Sequence, residues 1–101
     1  MKPKFNPGRE VMTAGVAEWL NEGQSNLEFA ADLRYVKLID CLRRHLEGDW
    51  GDVCLEDKAS NDLALKAGYR LLSAYTIDDR KIWIITEADR SSTTILFPEE
   101  Y

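Results

Sequence analysis

At Gly68 the spacing of the apolar residues changes, and that change constrains the fold more than any other feature of the chain. Before it, Tyr35, Leu38, Ile39, Leu42 and Leu46 recur at the steps of one helical face. Phe29, Leu33 and Val36 extend that stripe towards the N-terminus. After it, "RLLSAYTI", "KIWIITEA" and "TTILF" are rich in β-branched and aromatic residues, separated by "DDR" and "DRSS". Helices first and strands second predict an α+β fold. Its N-terminal helices pack on one face of a small antiparallel sheet, whose C-terminal half is a three-stranded meander. "REVMT" is the candidate for a short N-terminal edge strand. "KIWIIT", apolar on both faces, belongs at the centre of the sheet.

Local signals fit that layout. Thr13 is placed to cap a helix over "AGVAEWLNE", with Gly23 as its stop. Ser25 and Glu28 match a capping box for the long helix. Arg43, Arg44 and His45 fall in its last turn, where cations complement the helix dipole, and Gly48 offers a left-handed stop. Asp49 or Asp52 is expected to cap a further helix, roughly Leu55 to Lys66, closed by Gly68. With 101 residues, the expectation is a single domain, 1–101.

Composition narrows the function classes. Apolar residues make up 45% and charged residues 31%, an ordinary balance for a soluble globular protein. No stretch approaches the ~18 apolar residues of a membrane span. The opening "MKPKFNPGRE" lacks the apolar core of a signal peptide, so a cytoplasmic location and no membrane partner are expected. A net charge of −5 disfavours direct nucleic-acid binding and suits a basic protein partner. Cys41 and Cys54 form no CxxC and read as free thiols serving as small buried apolar groups. There is no glycine-rich phosphate loop, nucleophile elbow or zinc-ligand pairing, so no cofactor and no metal are expected.

Three groups of residues could still carry function. "HLEGDWGD", with Glu56 and Asp57 beyond it, gathers His45, Asp49, Asp52, Glu56 and Asp57, residue types that ligate divalent metals. Their spacing matches no known metal loop, and a joint between two helices accounts for the same residues, with Trp50 as its anchor. The joint is the preferred reading. The second group is built on the same histidine: His45 with Arg70, Ser73, Tyr75 and Arg90 supplies the acid and cations that a small metal-independent ribonuclease needs. The helix C-terminus would raise the pKa of His45 and suit it to general-acid work. Against this stands a solvated sheet edge with a Ser/Thr-rich turn. The third group is aromatic: Trp19, Trp50, Trp83, Tyr69 and Tyr101 are candidate exposed or half-exposed interface anchors, though most are expected to be core, Trp83 especially, with room left for one aromatic contact patch.

"HLEGDWGD", "EDKASNDLALKAGYRLLSAY" and "KIWIITEADRSSTTILFPEEY" resemble a family of small bacterial proteins carried on plasmids, prophages and other mobile elements. Its members are labelled plasmid-related protein or type I restriction endonuclease subunit M. The resemblance covers about residues 44–101, and "EVMTAGVAEWLNEGQS" is similar to the family's opening strand and helix. "NLEFAADLRYVKLIDCLRR" is longer than the family's corresponding segment, which implies an altered helix and an altered partner surface. A methyltransferase needs a cofactor-binding α/β domain that 101 residues without its motifs do not supply. What the resemblance implies is genomic company: mobile elements in conflict with host defence.

The leading expectation is therefore a non-catalytic protein-binding accessory factor, an inhibitor of a host defence complex of the CRISPR or restriction type. Its candidate contact residues are Asp49, Trp50, Asp52, Glu56, Asp57, Asp62, Glu99 and Glu100. The alternative is the ribonuclease or toxin using His45, Arg70, Ser73, Tyr75 and Arg90. A structural subunit acting as an oligomer is the third expectation.

Overall fold

The computed structural model of the chain describes residues 3–22 and 28–101, with the backbone alone for 28–32. Its elements are β1 (Arg9–Met12), α1 (Ala14–Glu22), α2 (Glu28–Leu46), α3 (Leu55–Ala67), β2 (Leu71–Ile77), β3 (Arg80–Thr86) and β4 (Ser92–Leu96), followed by a 3₁₀ turn at Pro98–Glu100. This is an α+β fold with helices ahead of the meander. The expected stop at Gly23, the Ser25 capping box and the side chain of Phe29 lie outside the described residues. No described helix is long and apolar enough to cross a membrane.

β2, β3 and β4 form the expected antiparallel meander. β1 completes a four-stranded sheet in the order β1-β4-β3-β2 and runs parallel to β4, so the sheet is mixed. The β2–β3 turn places Asp78 and Asp79 at φ 49° and 63°, the left-handed pair that matches the twist of a tight hairpin. Arg34 and Lys37 of α2 both reach the Asp78 carboxylate, at 3.2 and 2.9 Å, and tie that turn to the helix layer.

The core lies between the sheet and the first two helices. Tyr75, Ile77, Ile82, Ile84, Ile95 and Phe97 meet Val16 and Trp19 of α1 and Leu38, Cys41 and Leu42 of α2. Thr13 accepts a hydrogen bond from the Val16 amide at 3.2 Å, the cap its position predicted. The long apolar stripe divides: Leu38 and Leu42 are buried and Leu46 is partly buried, whereas Leu33, Tyr35, Val36 and Ile39 are exposed. The stripe is wider than four short strands can cover. Cys41 and His45 take the core positions beside Leu38 and Leu42, and the remainder of the stripe turns outward.

Of the five aromatics, Tyr69 and Tyr101 are exposed, and the one correction concerns Trp83, expected to be the most core-like. Trp19 and Trp50 are buried, while Trp83 is half-buried on the outer sheet face, 5.6 Å from Tyr101. Cys41 is buried, Cys54 is exposed, and both are free thiols.

The joint after α2 covers the outer edge of β2. Gly48 takes φ +81° to end α2, and the chain returns so that the Ala74 amide donates to Trp50 O and the Asp52 amide donates to Ala74 O. Nearly two turns into α3, Asn61 donates to Leu72 O at 2.8 Å and accepts from the Leu72 amide at 3.2 Å. Joint and side-chain amide together stand in for a neighbouring strand. Contrary to the sequence expectation, neither Asp49 nor Asp52 caps α3; the N-cap is Cys54, with no side-chain bond. Asp49 is drawn instead to Arg44 and the Gly51 amide, and Asp52 to Thr76. Replacing Asn61 with alanine leaves two backbone groups of Leu72 unpaired and is expected to lower stability by about 1–3 kcal/mol in urea unfolding. A loss too small to measure would mean that water replaces the amide.

Candidate functional site

His45 is the residue on which any acid–base chemistry here depends, and it is fully enclosed, at 0% exposure. It lies one helical turn beyond Cys41 and Leu42 on the buried face of α2, so the face that makes the core also carries the imidazole inward. The ring meets Phe5 and Trp50 edge-on, with centroids 5.4 and 5.7 Å away. Its Nδ1 lies 2.5 Å from Ser73 Oγ and its Nε2 lies 2.9 Å from Thr86 Oγ1.

The direction of this network follows from its far end. Thr93 donates to the carbonyl of Pro7 at 2.7 Å, and a carbonyl can only accept. The Thr93 proton is thereby committed, so Thr86, 2.7 Å away, donates to Thr93. Thr86 must then accept from a protonated Nε2, which leaves Nδ1 to accept from the Ser73 hydroxyl. The neutral imidazole satisfies every group in the chain.

Burial, seconded by the positive charge of Arg90, pushes the His45 pKa down from 6.5 to about 4. The sequence pointed the other way, to a histidine raised by the helix dipole. Enclosure without a carboxylate partner outweighs that dipole. A group whose pKa falls on folding stabilises the fold fully above its unfolded value and loses that contribution as pH drops. His45 is therefore expected to remove about 3 kcal/mol between pH 6.5 and pH 4. Denaturant unfolding at stepped pH measures this, and the upper half of the window lies above the carboxylate range. A flat stability between pH 6.5 and 5 would contradict it.

Of the other catalytic candidates only Ser73 touches the imidazole, while Arg90 lies near enough for its charge to act on it. Tyr75 is buried on the same sheet face and donates to Asp49 O at 2.6 Å, and its burial raises its pKa. Arg70 stacks over Tyr101, donates to its hydroxyl at 2.6 Å and faces Glu87, beside Trp83 on the opposite side of the sheet. Arg90 spends its guanidinium on the carbonyls of Ala64, Tyr69 and Glu87, which clamps the end of α3 to the β3–β4 turn. Phe5 and Pro7, which close the network, carry no sequence signal beyond their place in a turning lead-in.

The contact candidates fall into two regions. Around the joint, Asp49 pairs with Arg44 at 2.8 Å, Asp62 accepts from the buried Trp50 indole at 2.9 Å, and Asp52 accepts from Thr76 at 3.2 Å. Glu56 and Asp57 are exposed in the first turn of α3, where they complement its dipole. At the other region Glu99 pairs with Arg80 at 2.6 Å, and Glu100 accepts from Thr13 and from the Phe97 amide. Among the described residues, no three histidine, cysteine or acidic side chains converge as metal ligands.

A surface that the sequence reading assigned to the core stands open instead. Of the nine large exposed apolar residues among those described, Leu33, Tyr35, Val36 and Ile39 lie on α2 and Met12 on β1. A groove of about 230 Å³ runs between α2 and β1, lined by Glu10, Val11, Met12, Tyr35, Leu38, Ile39, Leu42 and Ile95. A second, of about 200 Å³, continues past Leu42 to Leu46 and Pro3. Met12 pairs in register with the buried Ile95, so its side chain leans to the helix side and forms the groove's outer lip.

No family model, no curated protein and no solved structure matches this chain.

Proposed function

We propose that this chain works by binding protein and not by chemistry on a substrate. The observation that carries this reading is the open apolar surface of α2 and β1, which holds five of the nine large exposed apolar side chains among the described residues. Patches of that kind, concentrated on one side of a small domain, are what protein contacts cover. The competing ribonuclease needs an accessible imidazole that changes protonation near neutrality, whereas His45 is sealed and neutral there. In the mobile-element setting that the resemblance implies, the partner is a host defence complex. The acidic surface around the joint, with Glu56 and Asp57 exposed, suits a basic face of such a complex.

Two surface variants test the reading: Val36→Glu with Ile39→Lys on the flank, and Glu56→Lys with Asp57→Lys at the joint. The flank variant should melt as the parent does, because both its side chains are exposed, and the joint variant somewhat below it, because Glu56 and Asp57 complement the α3 dipole. A pulldown from host lysate, quantified against the parent, is expected to lose its specific partner with one of them. A parent that captures nothing specific, yet cleaves RNA in a manner abolished by a folded His45 variant, would replace this reading with the enzymatic one.

A further inference from the structure

We propose that the outer edge of β1, with the groove beside it, takes up an extended basic peptide segment of a partner protein as a fifth strand of the sheet. The inference rests on the protein-binding reading and names the chemistry of the partner.

Three observations carry it. The first is the ladder. In a parallel pair, successive residues of a strand turn their backbone groups alternately towards the neighbour and away from it. The Arg9 amide donates to Ser91 O at 3.0 Å and the Thr13 amide to Ile95 O at 3.1 Å, so Arg9, Val11 and Thr13 are turned to β4. Glu10 and Met12 are therefore turned outward, and β1 is the last strand on its side of the sheet. Among the described residues, no backbone or side-chain partner meets their amides. The opposite edge is treated differently: on β2 the joint pairs Ala74, and Asn61 pairs Leu72. One edge is closed and the other is left able to receive a strand.

The second observation is what lies beside the open edge. Glu10 and Met12 pair in register with the buried Thr93 and Ile95, so their side chains point to the helix side. There the groove of about 230 Å³ separates β1 from α2, with Tyr35 and Ile39 exposed on its far wall. A strand added at β1 aims every second side chain into that groove. Its backbone satisfies the outward groups of Glu10 and Met12, while the groove selects its side chains. A helix laid in the same place has its own backbone bonds closed and nothing to offer that edge.

The third is charge. Glu10 lines the groove, and among the described residues no cation pairs with it. The nearby cations are taken: Arg43 is shared between Asp40 and Glu47, and Lys37 is held by Asp78. The matching segment therefore places an apolar residue beside Met12 and, two positions along on the same face, a lysine or arginine beside Glu10.

Selection of a displayed library of random peptides on the immobilised parent protein tests this. The enriched sequences are expected to alternate apolar residues and to carry a lysine or arginine two positions from one of them. In the free protein the Glu10 and Met12 amides should exchange with solvent quickly and the Val11 amide slowly, and a synthetic enriched peptide should slow the first two. Met12→Pro removes an outward amide without breaking a bond to β4, and should weaken that peptide by about tenfold or more. Glu10→Lys disturbs no backbone bond and should turn the selection from basic to acidic peptides, which keeps the test decisive where the proline variant fails to fold. A library that yields nothing, enriched apolar residues at helical three- and four-residue spacing, or binding that neither variant changes overturns the proposal. The lysate capture then separates the two readings. A parent whose specific partner is still lost with the flank or joint variant keeps the binding reading and loses only the strand addition, whereas a parent that captures nothing loses both.

Discussion

His45→Ala is expected to lower the unfolding free energy by about 3–5 kcal/mol, read as a fall in the denaturant midpoint with an unchanged slope. Part of that loss is a cavity under Phe5 and Trp50, both in edge contact with the ring. The larger part is polar. Removing the imidazole takes the acceptor from Ser73 and the donor from Thr86, two hydroxyls at 0% exposure. The chain of hydrogen bonds runs on through Thr93 to the Pro7 carbonyl, so loosening should reach the lead-in strand at Arg9. Hydrogen exchange at the Arg9 and Thr13 amides, both held by β4 or its flank, would report it. A loss below about 1 kcal/mol would mean that the network is worth no more than one exposed hydrogen bond.

Gly51→Ala is expected to cost about 3 kcal/mol or more, or to leave the joint unformed. Gly51 holds φ +74°, a conformation that strains any side chain, and a Cβ there would overlap the Ala74 carbonyl oxygen and crowd the Tyr75 ring. The neighbours cannot move away cheaply. Ala74 is fixed by its bonds to Trp50 and Asp52, and the Tyr75 hydroxyl is anchored on Asp49 O. Gly68→Ala makes the comparison sharp: it shares φ +77° but has open space around it, so only the backbone strain of about 1 kcal/mol remains. Parallel thermal melts of the two variants test the difference. Equal losses would show that backbone strain alone governs both sites.

The joint therefore answers the question that "HLEGDWGD" poses. Its glycines, its tryptophan and its first aspartate serve the fold: they turn the chain, fill the second core cluster with Ala64 and Leu71, and close the β2 edge. Sequence spacing identified the stop at Gly48 because a left-handed residue after a helix is a local requirement. It assigned Asp49 and Asp52 to a cap because aspartate before a helix usually serves as one. Their actual partners, Arg44 and Thr76, are brought near only when the chain doubles back on β2.

What the sequence by itself determined is the order and kind of the elements: the α2 and α3 helices, the three strands of the meander, the turn at Asp78 and the stops at Gly48 and Gly68. Each is written in the spacing of neighbouring residues, so a short window of sequence suffices. Only the tertiary structure decided which part of the α2 stripe is covered, that β1 lies parallel to β4, and that His45 faces inward. The partners that settle His45 and its network lie 28, 41 and 86 residues apart along the chain. Periodicity says which face of a helix is apolar, but the width of the sheet beneath it decides how much of that face is buried and how much is left to meet another molecule.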